Sequence, residues 1–307
     1  MEEPVLVTGF ESFGVHTTNV SGEVALSLTG KIVRGHTIET MVLPVDEKGS
    51  KKVSELVGSR KFAAILHIGL AENAEWPRIE IIAKDELDFR IPDNSGRQIR
   101  NSNITGNGEI SATVNPEDWD IERMIDSPKV STDAGEFICN ETLYRTLNAL
   151  EDETPCFFLH LPRSQDDAQG LVLECIDRML RPPCLDVGAG AIIHDGKFLA
   201  ARRAPSEKHA GWREFPGGKF EDGEDAAQCL VREIKEELEL DVEVGQSIGT
   251  WIFDHGDVVV RLHVMICNIV SGNMVLHVHD RVQWCVGPDE VDWLGPDREI
   301  AEAISAR

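Results

Sequence analysis

No apolar run in this sequence approaches the ~18 residues that a bilayer-spanning helix requires, so no membrane partner is expected. The opening Met1-Glu2-Glu3-Pro4 has neither the basic flank nor the apolar stretch of a signal peptide, and the expected compartment is the cytoplasm. Among the seven cysteines (139, 156, 175, 184, 229, 267 and 285) there is no CxxC pair. The odd count supports neither a disulfide framework nor a zinc site, and most of these thiols are expected to be buried and inert. Basic residues are scarce, 30 against 54 acids, for a net charge of −24. Without a basic run the chain has no face for the backbone of DNA or RNA, which excludes a nucleic-acid polymer as partner. A small anionic substrate stays open if a metal ion carries it. Internal repeats and low-complexity segments are also absent.

What is present is the composition of a globular chain, 41% hydrophobic, with length enough for two domains. The first half alternates expected strands (Val5–Thr8, Ile38–Val45, Phe62–Ile68, Arg78–Ala83, Cys156–His160) with expected helices (Val20–Leu28, Glu47–Val57, Glu136–Leu150). A further helical stretch from Gln165 to Leu180 gathers Ala168, Leu171, Val172, Cys175, Ile176 and Met179 on one face. Such alternation predicts a layered α/β sheet. Arg181-Pro182-Pro183 cannot continue the helix. A fresh strand pattern then runs to a hairpin at Asp195-Gly196. Two domains are therefore expected, 1–182 and 183–307.

In the second, Glu233, Glu236 and Glu237 fall at i, i+3 and i+4 of a strong helical stretch, which puts three carboxylates on one face. Like charges so placed repel, and Arg232 supplies only one compensating charge. A Glu-rich run is most often a solvated helix face, but oxygen ligands alone would also suit Mg²⁺ or Mn²⁺. Gly218, Glu224, Arg232, Glu233, Ile234, Glu236, Glu237 and Leu240 stand in the register of the Nudix signature, and the stretch resembles it. The resemblance implies an α/β/α sandwich with a mixed sheet. It implies that Glu233, Glu236 and Glu237 with the Gly218 carbonyl hold Mg²⁺ or Mn²⁺, and that Glu224 and Arg232 brace the loop. Phosphate-chain hydrolysis follows, with pyrophosphate or a nucleotide leaving. Two positions depart from the pattern. Glu239 replaces a Gly, so that it is either strained or the helix runs on. Val278 stands where relatives often place an acid six residues before Trp284, with Asp280 the nearest substitute.

Arg202-Arg203, Trp212-Arg213-Glu214-Phe215-Pro216-Gly217-Gly218 and Trp293-Leu294-Gly295-Pro296-Asp297 resemble the MutT-type triphosphate pyrophosphohydrolases within that group. That likeness implies Arg203 and Phe215 lining a base pocket and Asp297 accepting protons from the exocyclic amine of a cytosine or oxidised guanine. Core packing explains Phe215 equally well.

In the first half, Ala134-Gly135-Glu136-Phe137-Ile138-Cys139-Asn140-Glu141 puts Cys139 near a helix start, where the helix dipole is expected to lower a thiol's pKa. His160 closes an apolar strand as a platform for a base, and Glu80 on another strand could orient it. A buried core thiol and a structural histidine are the plain alternatives. Thr8-Gly9-Phe10-Glu11-Ser12-Phe13-Gly14, Leu43-Pro44-Val45, His67-Ile68-Gly69-Leu70-Ala71, Arg90-Ile91-Pro92-Asp93-Asn94, Ala134-Gly135 with Cys139-Asn140, and Leu159-His160-Leu161-Pro162 together resemble pyroglutamyl peptidase I over about residues 4–180. The resemblance implies a three-layer α/β/α open sheet of the peptidase/phosphorylase kind and a short peptide with N-terminal pyroglutamate as substrate. It makes Cys139 the nucleophile, His160 the base and Glu80 its orienter. Arg90 and the Cys139 N–H would stabilise the oxyanion, Phe10 and Phe13 would sandwich the lactam and Asn19 would bond its polar edge. Glu72-Asn73-Ala74 replaces Gly-Gly-Arg, Asn19-Val20-Ser21 replaces Asn-Pro-Ser, and Trp76-Pro77 is a bulky insertion near Glu80.

The leading reading is a bifunctional hydrolase acting on a nucleotide and on pyroglutamyl peptides. Two others remain: a Nudix enzyme whose front domain only binds or dimerises, and a Nudix domain that senses a nucleotide and regulates the peptidase. Oligomeric state is not legible, and a homo-oligomer stays open.

Overall fold

The computed structural model describes residues 2–14, 18–163 and 166–307. The chain forms two compact units, Met1–Arg181 and Pro182–Arg307. Among the described residues, no helix is long and apolar enough to cross a membrane.

The strands of the first unit are β1 (Val5–Phe10), β2 (Ile32–Val33), β3 (His36–Leu43), β4 (Ala64–Leu70), β5 (Arg78–Glu80), β6 (Ile82–Ala83), β7 (Ile110–Ser111), β8 (Lys129–Ser131) and β9 (Cys156–Leu161). Its helices are α1 (Val20–Ser27), α2 (Glu47–Val57), α3 (Ile138–Ala149) and α4 (Ala168–Met179). Seven strands form one sheet in the order β2-β3-β1-β4-β9-β5-β8, parallel from β3 to β9 and antiparallel at β5 against β9. Strand residues alternate between two cores. Val5 and Val7 join α1 and α4 on one face, while Leu6 and Phe10 join α2 and α3 on the other. This is a three-layer α/β/α sheet, and both faces are apolar because helices cover both. The stretch expected as one strand over 78–83 splits, with β5 in the main sheet and β6 paired only with β7. The start expected for the last helix, Gln165, lies outside the described residues.

The second unit holds β10 (Cys184–His194), β11 (Lys197–Arg203), β12 (Arg213–Glu214), β13 (Asp241–Asp254), β14 (Val259–Ser271) and β15 (His279–Cys285), with α5 (Ala226–Leu238) and α6 (Asp297–Ser305). The order is β12-β11-β10-β14-β13, with β15 also on β11. The sheet is mixed, β10 and β14 running parallel and the remaining pairs antiparallel. Helix α5 packs Leu230, Ile234 and Leu238 on one face and α6 packs Ile300 and Ala301 on the other. The Asp195-Gly196 turn has φ of 50° and 71°, the left-handed pair that a two-residue hairpin needs.

Asp225 and Gln228 close a reciprocal capping box at the start of α5. Glu239 ends α5 in the left-handed conformation at φ 56°, ψ 21°. The helix therefore stops where a Gly would stop it, and a Cβ-bearing residue takes the strain. Glu239 Oε1 lies 2.8 Å from His277 Nε2, a contact Gly could not make.

Candidate active sites

In the first unit, the sheet order brings together residues far apart in sequence. Register pairs Arg78 with His160 and Glu80 with Phe158, so Glu80 and His160 are diagonal neighbours on one sheet face. Glu80 Oε1 stands 2.8 Å from His160 Nδ1, the carboxylate wholly buried and the imidazole nearly so. Arg78 Nε lies 3.1 Å from the same oxygen. On the other side of β9, Gly69 pairs with His160. A Cβ at Gly69 would come within 2.6 Å of the Phe158 ring and 3.2 Å of Cys139 Sγ, so the thiol sits over a strand that must stay bare beside the histidine.

Cys139 is the second residue of α3. Asn140 fixes that helix start. Its Oδ1 accepts from the Lys84 N–H at 2.8 Å, and its Nδ2 donates to the Lys84 and Glu86 carbonyls at 2.8 and 3.1 Å. The expected lowering of the thiol's pKa is not what this environment produces. Burial, reinforced by the charge of Glu80, pushes the Cys139 thiol up to about 12. Desolvation outweighs the helix start and favours the protonated thiol.

Cys139 opens onto a pocket of about 410 Å³ that Phe10, Phe13 and Asn19 also line. Phe10 stacks on Phe158 at 6.1 Å, and Phe13 packs on Phe137 at 5.2 Å. Asn19 is less available than expected. Its Oδ1 caps α1 through the Ser21 N–H and hydroxyl, and its Nδ2 donates to the Glu11 carbonyl. Arg90 is exposed, and the neighbouring Ile91, not Arg90, lines the pocket. Sequence reasoning missed Phe137, Val45, Leu70 and Ile91 as lining residues. All are apolar and indistinguishable in sequence from core. Glu72 also lines the pocket and pairs with Arg163 at 2.8 Å. Trp76 is half exposed.

The loop bearing Ile91 is braced to α3 by buried charge. Arg97 Nε donates to Asp93 Oδ2 at 2.9 Å and Arg97 Nη2 to Glu141 Oε2 at 2.5 Å, while Arg145 also donates to Glu141. Both carboxylates are fully buried.

In the second unit, Arg232 sits at the centre of the α5 face. Its Nε and Nη2 grip Glu224 at 2.7 Å each, its Nη1 donates to Glu233 Oε1 at 2.7 Å, and Nη2 donates to the Lys219 carbonyl. This bidentate clasp holds the Glu224 carboxyl down at about 2. Glu233 lies flat on Gly218, where a Cβ would meet its carboxylate at 2.2 Å. The Gly218 carbonyl accepts from the Gly188 N–H at 2.8 Å. Glu236 is exposed, and Glu237 is turned in, its Oε2 accepting from the Gly217 N–H at 3.3 Å. Burial first, and then the charges of Glu214 and Glu233, push Glu237 up to about 7. Arg232 thus neighbours Glu233 and, at 3.6 Å, Glu236, while Glu237 turns away to the Gly217 backbone. Among the described residues, no three His, Cys, Asp or Glu side chains stand close enough to hold an ion as they are. A divalent cation would relieve the raised Glu237 carboxyl, and the oxygen donors fit Mg²⁺ or Mn²⁺.

A cavity of about 650 Å³ is lined by Arg203, Glu214, Phe215, Gly217, Gly218 and Asp297 among others. Phe215 stacks on Trp293 at 5.0 Å and 16° and lines the cavity. Arg203 Nη1 donates to Glu214 Oε2 at 2.6 Å. Burial, then the charge of Glu214, raises the Asp297 carboxyl well above the usual range. Asp280, the acid nearest Val278, is bound through both oxygens by Arg202 at 2.6 and 2.7 Å. The neighbouring His279 is buried, with Nε2 3.0 Å from Glu214 Oε1 and its charge bearing on Glu237. No sequence signal singled out Glu214 or His279.

The comparisons with known proteins divide at the same place. The pyroglutamyl peptidase family matches residues 3–169 and the NUDIX domain residues 185–305. The pyrrolidone-carboxylate peptidase of Coprothermobacter proteolyticus is 33% identical over 175 residues, 54% of this chain and 84% of that protein. The CTP pyrophosphohydrolase of Escherichia coli is 35% identical over 124 residues, 40% of this chain and 92% of that protein. Among solved structures, the pyrrolidone carboxyl peptidase of Thermus thermophilus has a TM-score of 0.50 at 30% identity, covering 57% of this chain and 99% of that one. A pyrrolidone carboxyl peptidase of Pyrococcus furiosus has a TM-score of 0.51 at 25% identity, covering 58% and 96%. The chain therefore belongs to the pyroglutamyl peptidase family through its first unit and to the NUDIX family through its second, a two-domain hydrolase.

Proposed function

We propose that both units are catalytic: the first removes N-terminal pyroglutamate from short peptides, and the second cleaves a nucleoside triphosphate to the monophosphate and pyrophosphate. The observation that carries the first activity is the buried Glu80–His160 pair beside a thiol that lines an aromatic pocket. As Cys139 Sγ bonds the lactam-bearing carbonyl carbon, its proton passes to His160, whose imidazolium Glu80 stabilises and orients. His160 returns the proton to the departing amine. The resulting thioester is hydrolysed by water that His160 deprotonates, which regenerates the thiol. The Cys139 N–H, at the start of α3, faces the developing oxyanion, with Arg90 as a second donor once the peptide is bound. Phe10 and Phe13 flank the lactam ring, and Asn19 offers the amide hydrogen left over from its capping role.

In the second unit, Glu233, Glu236 and Glu237 with the Gly218 carbonyl would hold Mg²⁺ or Mn²⁺, which supplies a clamp on phosphate oxygens and an acidified water. Arg232 and Glu224 keep the loop before α5 in place. Arg203, Phe215 and Asp297 would receive the base, with the Asp297 carboxyl at its polar edge.

The test uses the full chain with two assays: cleavage of a pyroglutamyl amide, and pyrophosphate release from a panel of nucleoside triphosphates including 8-oxo-dGTP. Cys139→Ala is expected to abolish only the first and Glu236→Gln to lower only the second. No pyrophosphate from any triphosphate with either metal would sink the second assignment, and amide cleavage surviving in Cys139→Ala would sink the first.

A further inference from the structure

In a chain with 54 acidic residues, an arginine without a carboxylate beside it is an anomaly, and the second unit carries a row of arginines short of acid. Arg202 on β11 is directly opposite Arg281 on β15 and directly opposite Arg213 on β12. Side chains so paired are about 5 Å apart at Cβ, and like charges there are destabilising. Three guanidinium groups thus stand across three neighbouring strands, a span of about 10 Å. Only one carboxylate answers them. Asp280 is bound through both oxygens by Arg202.

Among the described residues neither Arg213 nor Arg281 makes an ion pair, and Arg281 is exposed. The Nε of Arg213 is buried with no hydrogen-bond partner. Burial, then the charges of Arg202 and Arg281, depress the Arg213 guanidinium below its ordinary value, so the row is close enough for its members to feel one another. It is separate from the nucleotide cavity, whose lining includes Arg203 and Glu214 but not Arg202, Arg213 or Arg281.

We propose that the Arg202–Arg213–Arg281 row is an anion site that takes a chain of two or three phosphoryl groups, outside the catalytic pocket. The row has a surplus of two positive charges over Asp280, which suits a compact anion carrying at least two negative charges. Guanidinium forks match phosphoryl oxygens two at a time. A long polyanion is disfavoured by the charge of −24 around so short a row. The ligand is either free inorganic pyrophosphate or the phosphate chain of a nucleotide. Nothing in this site depends on the catalytic reading above.

The experiment measures pyrophosphate binding by the full chain in excess chelator, so that no cation can recruit phosphate to the α5 carboxylates. Wild type is expected to bind, and its melting temperature to rise with ligand. Arg281→Gln and Arg213→Gln are each expected to weaken binding about tenfold. Without ligand Arg281→Gln, relieved of a like-charge pair, is expected to melt no lower than wild type, which separates loss of the site from misfolding. Competition identifies the source. Displacement by a nucleoside triphosphate but not by a nucleoside assigns the site to the nucleotide's phosphate chain, and failure of the triphosphate to compete assigns it to free pyrophosphate. No binding by wild type in chelator, or an equal melting shift in wild type and the Arg213→Gln/Arg281→Gln double variant, would overturn the proposal.

Discussion

The two candidate active sites differ in how much of each stands assembled in the folded chain. In the first unit the Glu80–His160 bond is formed, the Cys139 thiol lies over Gly69 and the pocket is walled by Phe10, Phe13 and Phe137. In the second, Arg232 takes up Glu224 and Glu233, Glu236 faces solvent and Glu237 is turned in. The contrast matches the proposed readings. Side chains that act directly have to stand at bonding distance before substrate arrives, whereas carboxylates on one helix face repel one another and turn to separate partners.

The largest effect expected from breaking this contrast is in the assembled site. Glu80→Gln should keep the fold and lower pyroglutamyl amide turnover by about 10²–10⁴-fold, with pyrophosphate release unchanged. A loss below tenfold would mean that Glu80 does not orient the base. Next is the brace behind the pocket. Arg97→Met leaves Asp93 Oδ2 and Glu141 Oε2 buried without their guanidinium donor, while Asp93 Oδ1 keeps the Ser95 and Arg97 backbone N–H groups, and urea unfolding of the first unit should show a loss of about 3 kcal/mol. An unchanged midpoint would show that the Ile91 loop stands without that brace.

The unassembled site should respond to pH in a way the other does not. Glu237 is pushed up to about 7 from its ordinary 4.5 in the folded state. Its proton therefore favours the folded form, a contribution that is full below pH 4.5 and disappears as pH rises through 7. In chelator at pH 8, Glu237→Gln should stabilise the second unit by on the order of 2 kcal/mol, and added Mg²⁺ should stabilise wild type but not the variant. Equal stability of the two proteins at pH 8 would argue against crowded acid at this helix. The smallest effect concerns the end of the same helix. Glu239→Gly should relieve the left-handed strain and add about 1 kcal/mol, less whatever the His277 contact contributes. Thermal unfolding decides its sign.

The sequence by itself determined the elements and the chemistry that lies within one of them. The α5 carboxylates, their brace and the capping box fall within a single stretch of chain, so helical periodicity alone orders them. The alternation of strand and helix stretches likewise marked the first unit as a layered α/β sheet. Tertiary structure decided what depends on neighbours from distant strands and on the dielectric they create. Glu80 meets His160 because β5 lies antiparallel to β9, a pairing the sequence does not announce. Burial reversed the expected fall in the Cys139 pKa and raised the Asp297 and Glu237 carboxyls above the usual range. Cross-strand register alone aligned Arg202 with Arg213 and Arg281, residues separated in sequence by hairpins and a helix. Local order follows from bonds along the chain, whereas a pKa or a charge row depends on what the fold places within a few ångströms and on how much water it leaves there.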